Sequence, residues 1–243
     1  MNNKMNEKAH VINETAVDHS EEVWSKDVYK GFSLGTLGAQ TTPFLSAFIK
    51  HVKDINNNQA KLIEFGAGSG EHSITLAKEG FSVTAIESSK TAISLMKKRM
   101  QNENINLNII DINIFDYLKK DIRDEFIGIY ANAVLHLLTE TERQKLYKNF
   151  IRIQPHNSIL AVSFKGVGDS LQKICTLQEN TDAGPIYLGK DKIKRLFVSN
   201  PIPLIQEIQN AGYIHIEAIH WAIPDSNIIG EDSVFIGLIA EKP

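Results

Sequence analysis

The sequence has little of what marks several classes of protein. Cys175 is the single cysteine among 243 residues, which excludes an intrachain disulfide framework and a multi-cysteine metal site, and we expect no metal. No apolar run approaches the roughly 18 residues of a membrane-spanning helix. The net charge of −3 leaves no basic excess for nucleic acid or an anionic membrane surface. We therefore expect neither as a partner.

What remains is typical of an ordinary globular chain. Its length suits one α/β domain with its own core, and 42% hydrophobic with 23% charged residues matches that class. The polar opening MNNKMNEKAH does not have the pattern of a signal peptide. The expected location is the cytoplasm.

The chain divides into three stretches by pattern. Residues 1–57 are mostly helical, and Thr42-Pro43 is typical of an N-cap followed by the first helical residue. Residues 60–165 alternate short apolar runs with amphipathic segments, which predicts a parallel sheet with helices on both faces. From Gly166 to Leu196 the pattern is irregular. Two β-rich runs, 213–221 and 234–240, can then pair antiparallel.

A glycine-rich turn separates the first predicted strand from the first predicted helix, in the stretch LIEFGAGSGEH (62–72). Gly66, Gly68 and Gly70 allow a ligand to approach the backbone, and the helix N-terminus supplies unpaired N–H groups. Ligands of open α/β sheets bind at the carboxyl ends of the strands. The turn therefore predicts a ligand site, although a tight turn without a ligand is the alternative.

The spacing of the glycines restricts the ligand. A phosphate-binding P-loop requires Gly-Lys-Ser/Thr, which is absent from this sequence. The dinucleotide fingerprint is Gly-x-Gly-x-x-Gly, but here the third glycine comes one position early and Glu71 occupies its place. An acidic side chain there would repel a pyrophosphate. The spacing favours a cofactor without phosphate.

Two further acidic residues end predicted strands. Glu87 ends SVTAIE and Asp111 ends LNIID. A carboxylate at Glu87 can accept hydrogen bonds from both ribose hydroxyls, which NAD and S-adenosylmethionine both offer. Asp111 is placed to accept from an adenine amino group, and the Ile112 N–H to donate to the ring. Either acid alone could instead be a helix N-cap or lie in a solvated loop.

Five stretches of the sequence, taken in order, resemble the motifs of a known family. The stretches EFGAGSG, AIES, IIDI, YANAVLHLL and ILAVSFKG are similar to the successive motifs of class I S-adenosylmethionine-dependent methyltransferases. The resemblance covers roughly residues 60–165, and 212–240 fits more loosely. It implies a Rossmann-like, doubly wound, seven-stranded sheet, mostly parallel with an antiparallel last strand and helices on both faces. From the pattern of the chain we expect a cofactor domain over 58–243 and an N-terminal helical lid over 1–57.

The resemblance assigns a role to each motif. The cofactor would be S-adenosyl-L-methionine, and the product S-adenosyl-L-homocysteine. The residues implied to bind it are Glu64, Gly66, Ala67, Gly68 and Gly70 at the methionine part, Glu87 with Ser88 at the ribose, Asp111 and Ile112 at the adenine, and Asn132 near the sulfonium, with Ala133 beside it.

Some departures narrow the subclass. Ile127 stands where many members have an Asp, and we give this change little weight because that Asp is mostly structural. Asn132-Ala133-Val134-Leu135 replaces the Asn/Asp-Pro-Pro-Tyr/Phe motif of enzymes that methylate the adenine amino group. Cys175 lies outside the core motifs, on a segment expected to be a buried helical face, so C5-cytosine chemistry is disfavoured.

The favoured function is methyl transfer to a small-molecule acceptor by in-line attack. The N-terminal helices and the 166–198 insertion would form the acceptor pocket. We expect the protein to be a monomer or a homodimer. His136 is the candidate general base, with a packed histidine as the alternative. The candidate substrate-binding residues are Trp24, Tyr29, Phe44 and Lys165. A protein or RNA methyltransferase and a non-catalytic S-adenosylmethionine-binding protein stay open as alternatives.

Overall fold

The computed structural model describes residues 42–55, 60–123, 125–224 and 231–243. The helices in these residues are α1 (Pro43–Ile55), α2 (Glu71–Lys78), α3 (Lys90–Glu103), α4 (Ile114–Leu118), α5 (Glu140–Arg152) and α6 (Ile202–Asn210). The strands are β1 (Lys61–Phe65), β2 (Ser82–Glu87), β3 (Asn108–Asp111), β4 (Gly128–Ala131), β5 (Ser158–Gly166), β6 (Thr176–Asn180), β7 (Pro185–Leu188), β8 (Lys194–Val198), β9 (Ile214–Pro224) and β10 (Asp232–Lys242). Short 3-10 turns cover Leu135–Leu137 and Ser170–Ile174.

The expected seven strands lie in the order β3-β2-β1-β4-β5-β10-β9. The five strands from β3 to β5 are mutually parallel. The last strand, β10, runs antiparallel to both β5 and β9. The mostly parallel α/β sheet with an antiparallel final strand is therefore confirmed, and the carboxyl ends of β1 to β5 meet at one edge.

Three further strands extend the sheet. The end of β5 pairs with β8 in parallel, through Lys165 opposite Phe197 and Gly166 opposite Val198. Strands β7 and β6 then add in antiparallel fashion. The expectation of an irregular segment from Gly166 to Leu196 was wrong. These strands span only four or five residues, and β6 is exposed along its whole length, so no alternation of apolar and polar residues marks them.

Helices cover both faces of the sheet, as expected. Side chains of α4, α5 and α6 join one apolar cluster, and those of α1, α2 and α3 join a second. Strand β1 contributes to both, because Ile63 and Phe65 lie in the first cluster and Leu62 in the second. This alternation is the period of two that a strand buried on both faces requires.

Helix α1 begins where Thr42-Pro43 predicted it. The Leu45 N–H donates to Thr42 Oγ1 at 3.2 Å, and the apolar face buries Phe44, Leu45, Phe48, Ile49 and Val52. This part of the N-terminal segment therefore packs into the core. Trp24 and Tyr29 lie outside the described residues, so the lid over 1–57 and its boundary with 58–243 stay predictions. Within the described ranges, no helix is long and apolar enough to cross a membrane.

Candidate cofactor and acceptor site

The glycine-rich turn connects β1 to α2 through a backbone that side chains rarely adopt. Gly66, Gly68 and Gly70 have φ angles of 69°, 55° and 82°, in the left-handed region open to glycine. The N–H groups of Gly66 and Ala67 both donate to the Ile86 carbonyl, at 2.9 and 3.1 Å. The turn is thereby fixed against the end of β2, at the edge where the parallel strands end.

Glu87 holds the centre of this turn. One carboxylate oxygen accepts from the Gly68 N–H, and the other accepts from the N–H groups of Ser88 and Ser89, each at 2.8 Å. Burial raises the pKa of Glu87, against the opposing effect of these three hydrogen bonds, and the negative charge of Glu64 raises it further. Each carboxylate oxygen can accept more than one hydrogen bond. Three of about four acceptor sites are used, so Glu87 can hold the turn and still accept from one hydroxyl of a diol.

Asp111 lies directly beside Glu87, because the two residues are partners in the β2–β3 register. Asp111 is exposed, so its carboxylate is open to a ligand. The Ile112 N–H, however, donates to the Glu87 carbonyl at 3.0 Å. The expected hydrogen bond from that N–H to an adenine ring therefore has no support here, since the group already has a partner.

Acidic side chains surround the turn. Glu64 is 1% exposed, and its carboxylate accepts from Ser73 Oγ and lies 3.4 Å from His72 Nδ1. Burial lowers the pKa of His72, but the hydrogen bond with Glu64 and the charges of Glu64 and Glu71 outweigh burial and raise it overall. The Glu64 carboxylate thus helps to fix the start of α2, and contact with the methionine part stays a prediction.

Glu71, in the place of the third dinucleotide glycine, forms an ion pair with Arg99 of α3 at 2.8 Å. This pairing compensates part of the charge on which the argument against a pyrophosphate depended. The buried carboxylates of Glu64, in β1 just before the turn, and of Glu87, which accepts from the Gly68 N–H, restore that argument. The surroundings fit a cation or zwitterion better than a polyphosphate.

The turn after β4 lies at the same edge of the sheet as the glycine turn. Val134 packs on the glycine turn so closely that a Cβ added to Gly66 would lie 2.4 Å from Val134 Cγ2. Ser163 of β5 accepts from the Ala133 N–H at 2.9 Å and donates to the Asn132 side-chain oxygen at 2.7 Å. Asn132 therefore lies at the strand edge shared with the glycine turn, as its assignment requires, while its contact with a cofactor stays a prediction.

His136 lies in the 3-10 turn beyond Asn132 and is 5% exposed. Burial lowers its pKa well below the ordinary value, and the positive charges of Lys165 and Arg195 lower it further. Its Nδ1 atom is buried and has no hydrogen-bond partner among the described residues. The imidazole is therefore neutral at pH 7, which is the protonation state that a general base needs.

The remaining candidates for substrate binding are less favourably placed. Lys165 is 8% exposed; its Nζ donates to Asp169 at 2.7 Å and to Ser233 at 3.3 Å, and lies 4.2 Å from the centre of the Phe235 ring. Phe44 is fully buried, with ring centroids 5.4 Å from Tyr130 and 5.1 Å from Trp221. This packing gives no support to acceptor contacts by Lys165 or Phe44. Trp24 and Tyr29 lie outside the described residues, so substrate binding by them stays a prediction.

Cys175 is half-buried and follows the 3-10 turn of residues 170–174, so the expected helical face does not contain it. Burial raises the pKa of its thiol, opposed by Arg195 and assisted by Asp191 and Asp169. A thiol with a raised pKa is a poor nucleophile at neutral pH.

Sequence reasoning missed the residues that support the site: Ser73, Arg99, Val134, Ser163 and Arg195. A signal existed for Ser163, which is a polar residue inside the otherwise apolar run ILAVSF. The other partners come from separate elements, and their contacts depend on the packing of α2, α3 and β8. The fold defines an α/β protein of the Rossmann-like class, in which ligands bind at the carboxyl ends of the strands.

Comparison with known proteins narrows that class. Residues 62–155 match the family model described as "Methyltransferase domain". A glycine/sarcosine N-methyltransferase of Parasynechococcus marenigrum (strain WH8102) is 25% identical over 146 residues, 59% of this chain and 50% of that protein. Another, of Aphanothece halophytica, is 26% identical over 117 residues, 46% of this chain and 42% of that protein. The chain thus spans about half the length of these curated relatives.

One solved structure is similar in fold to this chain. It is 1,6-didemethyltoxoflavin-N1-methyltransferase of Burkholderia thailandensis with bound 1,6-didemethyltoxoflavin and S-adenosylhomocysteine, with a TM-score of 0.64 and 14% identity, covering 94% of this chain and 88% of that one. This likeness shows a shared fold, and the family match over residues 62–155 supports the resemblance to class I S-adenosylmethionine-dependent methyltransferases.

Proposed function

We propose that the protein is an S-adenosylmethionine-dependent methyltransferase that transfers a methyl group to a small-molecule acceptor, with S-adenosylhomocysteine as the second product. The observation that carries the proposal is the joint arrangement of the glycine turn, Glu87 and Asp111. Glu87 is hydrogen-bonded to Gly68 of the turn and lies beside Asp111 in the strand register. This arrangement offers carboxylates to a ribose and a base within reach of one glycine-rich backbone.

The charges around the turn support S-adenosylmethionine over NAD. Two carboxylates, Glu64 and Glu87, are buried there, and a third, Glu71, is paired with Arg99. A sulfonium cofactor carries positive charge, which these groups would stabilise, whereas a pyrophosphate would meet them with like charge. We take Glu87 to hold the ribose hydroxyls and Asp111 to face the adenine amino group.

When bound, S-adenosylmethionine supplies an activated methyl group, so the protein's task is to align the acceptor and exclude water. His136 is the candidate to take a proton from the acceptor, because its imidazole is neutral and its buried Nδ1 has no partner among the described residues. An acceptor that attacks through a neutral amine needs no base. His136 would then be a packing residue.

A small molecule is the favoured acceptor for two reasons. The net charge of −3 does not favour a nucleic-acid substrate, and the curated relatives act, by their names, on glycine and sarcosine. Methylation of a protein or of RNA is the competing possibility. A third possibility is a cofactor-binding protein without activity, against which the intact glycine turn, Glu87 and Asp111 argue.

The test is a methyl-transfer assay with labelled S-adenosylmethionine. Glycine and sarcosine are the first acceptors, followed by a pool of small amines, carboxylic acids, phenols and thiols, with a protein extract and total RNA in separate reactions. Labelled product in a small-molecule reaction supports the proposal. Transfer confined to the protein or RNA reaction would replace it, and binding of the cofactor without transfer to any acceptor would favour the inactive alternative.

A further inference from the structure

The turn that follows β4 contains a residue in a conformation that side chains rarely adopt. Ala133 has a φ of 56°, in the left-handed region where a Cβ atom is sterically disfavoured. Asn132, Ala133 and Val134 are all partly exposed. A strained backbone persists only where the surrounding contacts impose it, and such positions concentrate at functional sites.

Ser163 provides the contacts that impose it. The last backbone pair of β4 and β5 joins Ala131 to Val162, and Ser163 is the next residue along β5. Its hydroxyl accepts from the Ala133 N–H at 2.9 Å and donates to the Asn132 side-chain oxygen at 2.7 Å. Beyond the last backbone pair of the two strands, this one hydroxyl is the hydrogen-bond partner of both the Ala133 N–H and the Asn132 side-chain oxygen.

The turn after β4 also fixes the position of a side chain that packs on the glycine turn. Val134 follows Ala133 directly and packs on Gly66, where an added Cβ would lie 2.4 Å from Val134 Cγ2. A change in the backbone at Ala133 would therefore move Val134 relative to the glycine turn. Because interiors are closely packed, such a shift is not absorbed locally.

We infer that Ser163 is a positioning residue, which holds Asn132 and Ala133 in the left-handed turn that shapes the methionine end of the cofactor site. Ser163 is itself fully buried, so it acts through these two residues and not by touching a ligand. The inference rests on the proposed function, because the ligand whose end is shaped is S-adenosylmethionine.

The first test is Ser163→Ala, which removes the hydroxyl and changes little else in volume. We expect the affinity for S-adenosylmethionine, measured by calorimetry, to fall about tenfold, the equivalent of one lost hydrogen bond. Ser158→Ala is the matched control: Ser158 lies in the same strand, is equally buried, and donates to the Pro155 carbonyl at 2.7 Å, at the end of β5 away from the crevice. Its affinity should equal that of the parent.

The second test is rescue. Glycine adopts a φ of 56° without strain, so the turn should keep its shape in the Ser163→Ala, Ala133→Gly double variant even without the hydroxyl. We expect its affinity to return to within about threefold of the Ala133→Gly single variant, well short of the tenfold loss. A residue that only stabilised the fold would lower the melting temperature, and Ala133→Gly would not restore the binding.

The outcomes separate the inference from the proposed function. If the parent does not bind S-adenosylmethionine, the proposed function fails and the inference fails with it. If the parent binds but Ser163→Ala binds equally well, or if the double variant is as weak as Ser163→Ala, the inference is overturned and the proposed function stands. Should Ser163→Ala not fold, Ser163→Cys retains a weaker donor and acceptor, and a smaller loss with the same rescue is expected.

Discussion

Replacing Glu87 by alanine tests two roles of this residue, its hydrogen bonds to the glycine turn and its proposed contact with the ribose. The carboxylate accepts three backbone hydrogen bonds of 2.8 Å, from Gly68, Ser88 and Ser89, and it is the proposed acceptor for the ribose hydroxyls. The change should therefore weaken both the fold and cofactor binding. The two effects can be measured on one sample, by thermal melting without cofactor and by calorimetry with S-adenosylmethionine.

The stability effect follows from the three hydrogen bonds and from burial. A hydrogen bond to a charged group contributes about 1.5–3 kcal/mol, but burial is the largest influence on the Glu87 pKa and disfavours the carboxylate. We therefore expect the net loss to equal about one such bond. For a domain of this size, that loss lowers the melting temperature by about 3–12 °C.

The binding effect is a separate loss. Removing the ribose contact should lower the affinity for S-adenosylmethionine by about one to two orders of magnitude. Glu79→Ala is the matched control, because Glu79 belongs to a partly exposed pair with Lys53 at 2.6 Å that contributes less than about 1 kcal/mol. A folded Glu87→Ala variant that binds as tightly as the parent would refute the ribose assignment.

Three further predictions follow from other parts of the molecule. If His136 is the base, His136→Ala should lower turnover about 10²–10⁴-fold with cofactor affinity near the parent's; a lower melting temperature with unchanged turnover would mean packing only. The pKa of His136 in the folded state is depressed below 6.5. The contribution of His136 to stability is therefore present above pH 6.5 and is lost as the pH falls below that value. Melting temperatures should decline toward pH 5 more steeply for the parent than for His136→Asn. In the buried pair of Arg143 with Glu207, at 2.6 and 2.9 Å, Arg143→Met should cost about 3–5 kcal/mol, and denaturant unfolding checks this. Only part of the loss should be recovered in Arg143→Met, Glu207→Leu, because the Leu138 carbonyl, which accepts from Arg143 at 2.8 Å, still lacks this donor.

Much of the fold could be predicted because its signals are local. Thr42-Pro43 marks the start of α1, and Gly80 and Gly212, with φ angles of 93° and 107°, follow the ends of α2 and α6. The two terminal β-rich runs pair antiparallel as expected. Caps, helix-ending glycines and long apolar runs depend on a few neighbouring residues, so they can be recognised without knowledge of the packing.

The extension formed by β6, β7 and β8 could not be predicted in the same way. Its strands are short, and β6 packs no face on the core, so burial leaves no periodic trace in the sequence. The strands are set by pairing with the end of β5, a contact between residues about thirty positions apart in the chain.

The positions of the proposed cofactor residues were more predictable than those of the proposed acceptor residues. Glu87, Asp111 and the glycines follow strands, and parallel strands bring their ends together. Lys165 and Phe44 were less predictable, because their surroundings depend on distant partners. Lys165 donates to Asp169, whose other partners include the Val234 N–H, and Phe44 packs on Trp221 of β9.

The central claim is that the crevice takes S-adenosylmethionine, and the most direct measurement is calorimetry of the parent protein with S-adenosylmethionine, S-adenosylhomocysteine and NAD in parallel. The acidic surroundings of the glycine turn and the place of Glu71 predict micromolar binding of the first two and no measurable binding of NAD. Tight binding of NAD without binding of S-adenosylmethionine would contradict the account.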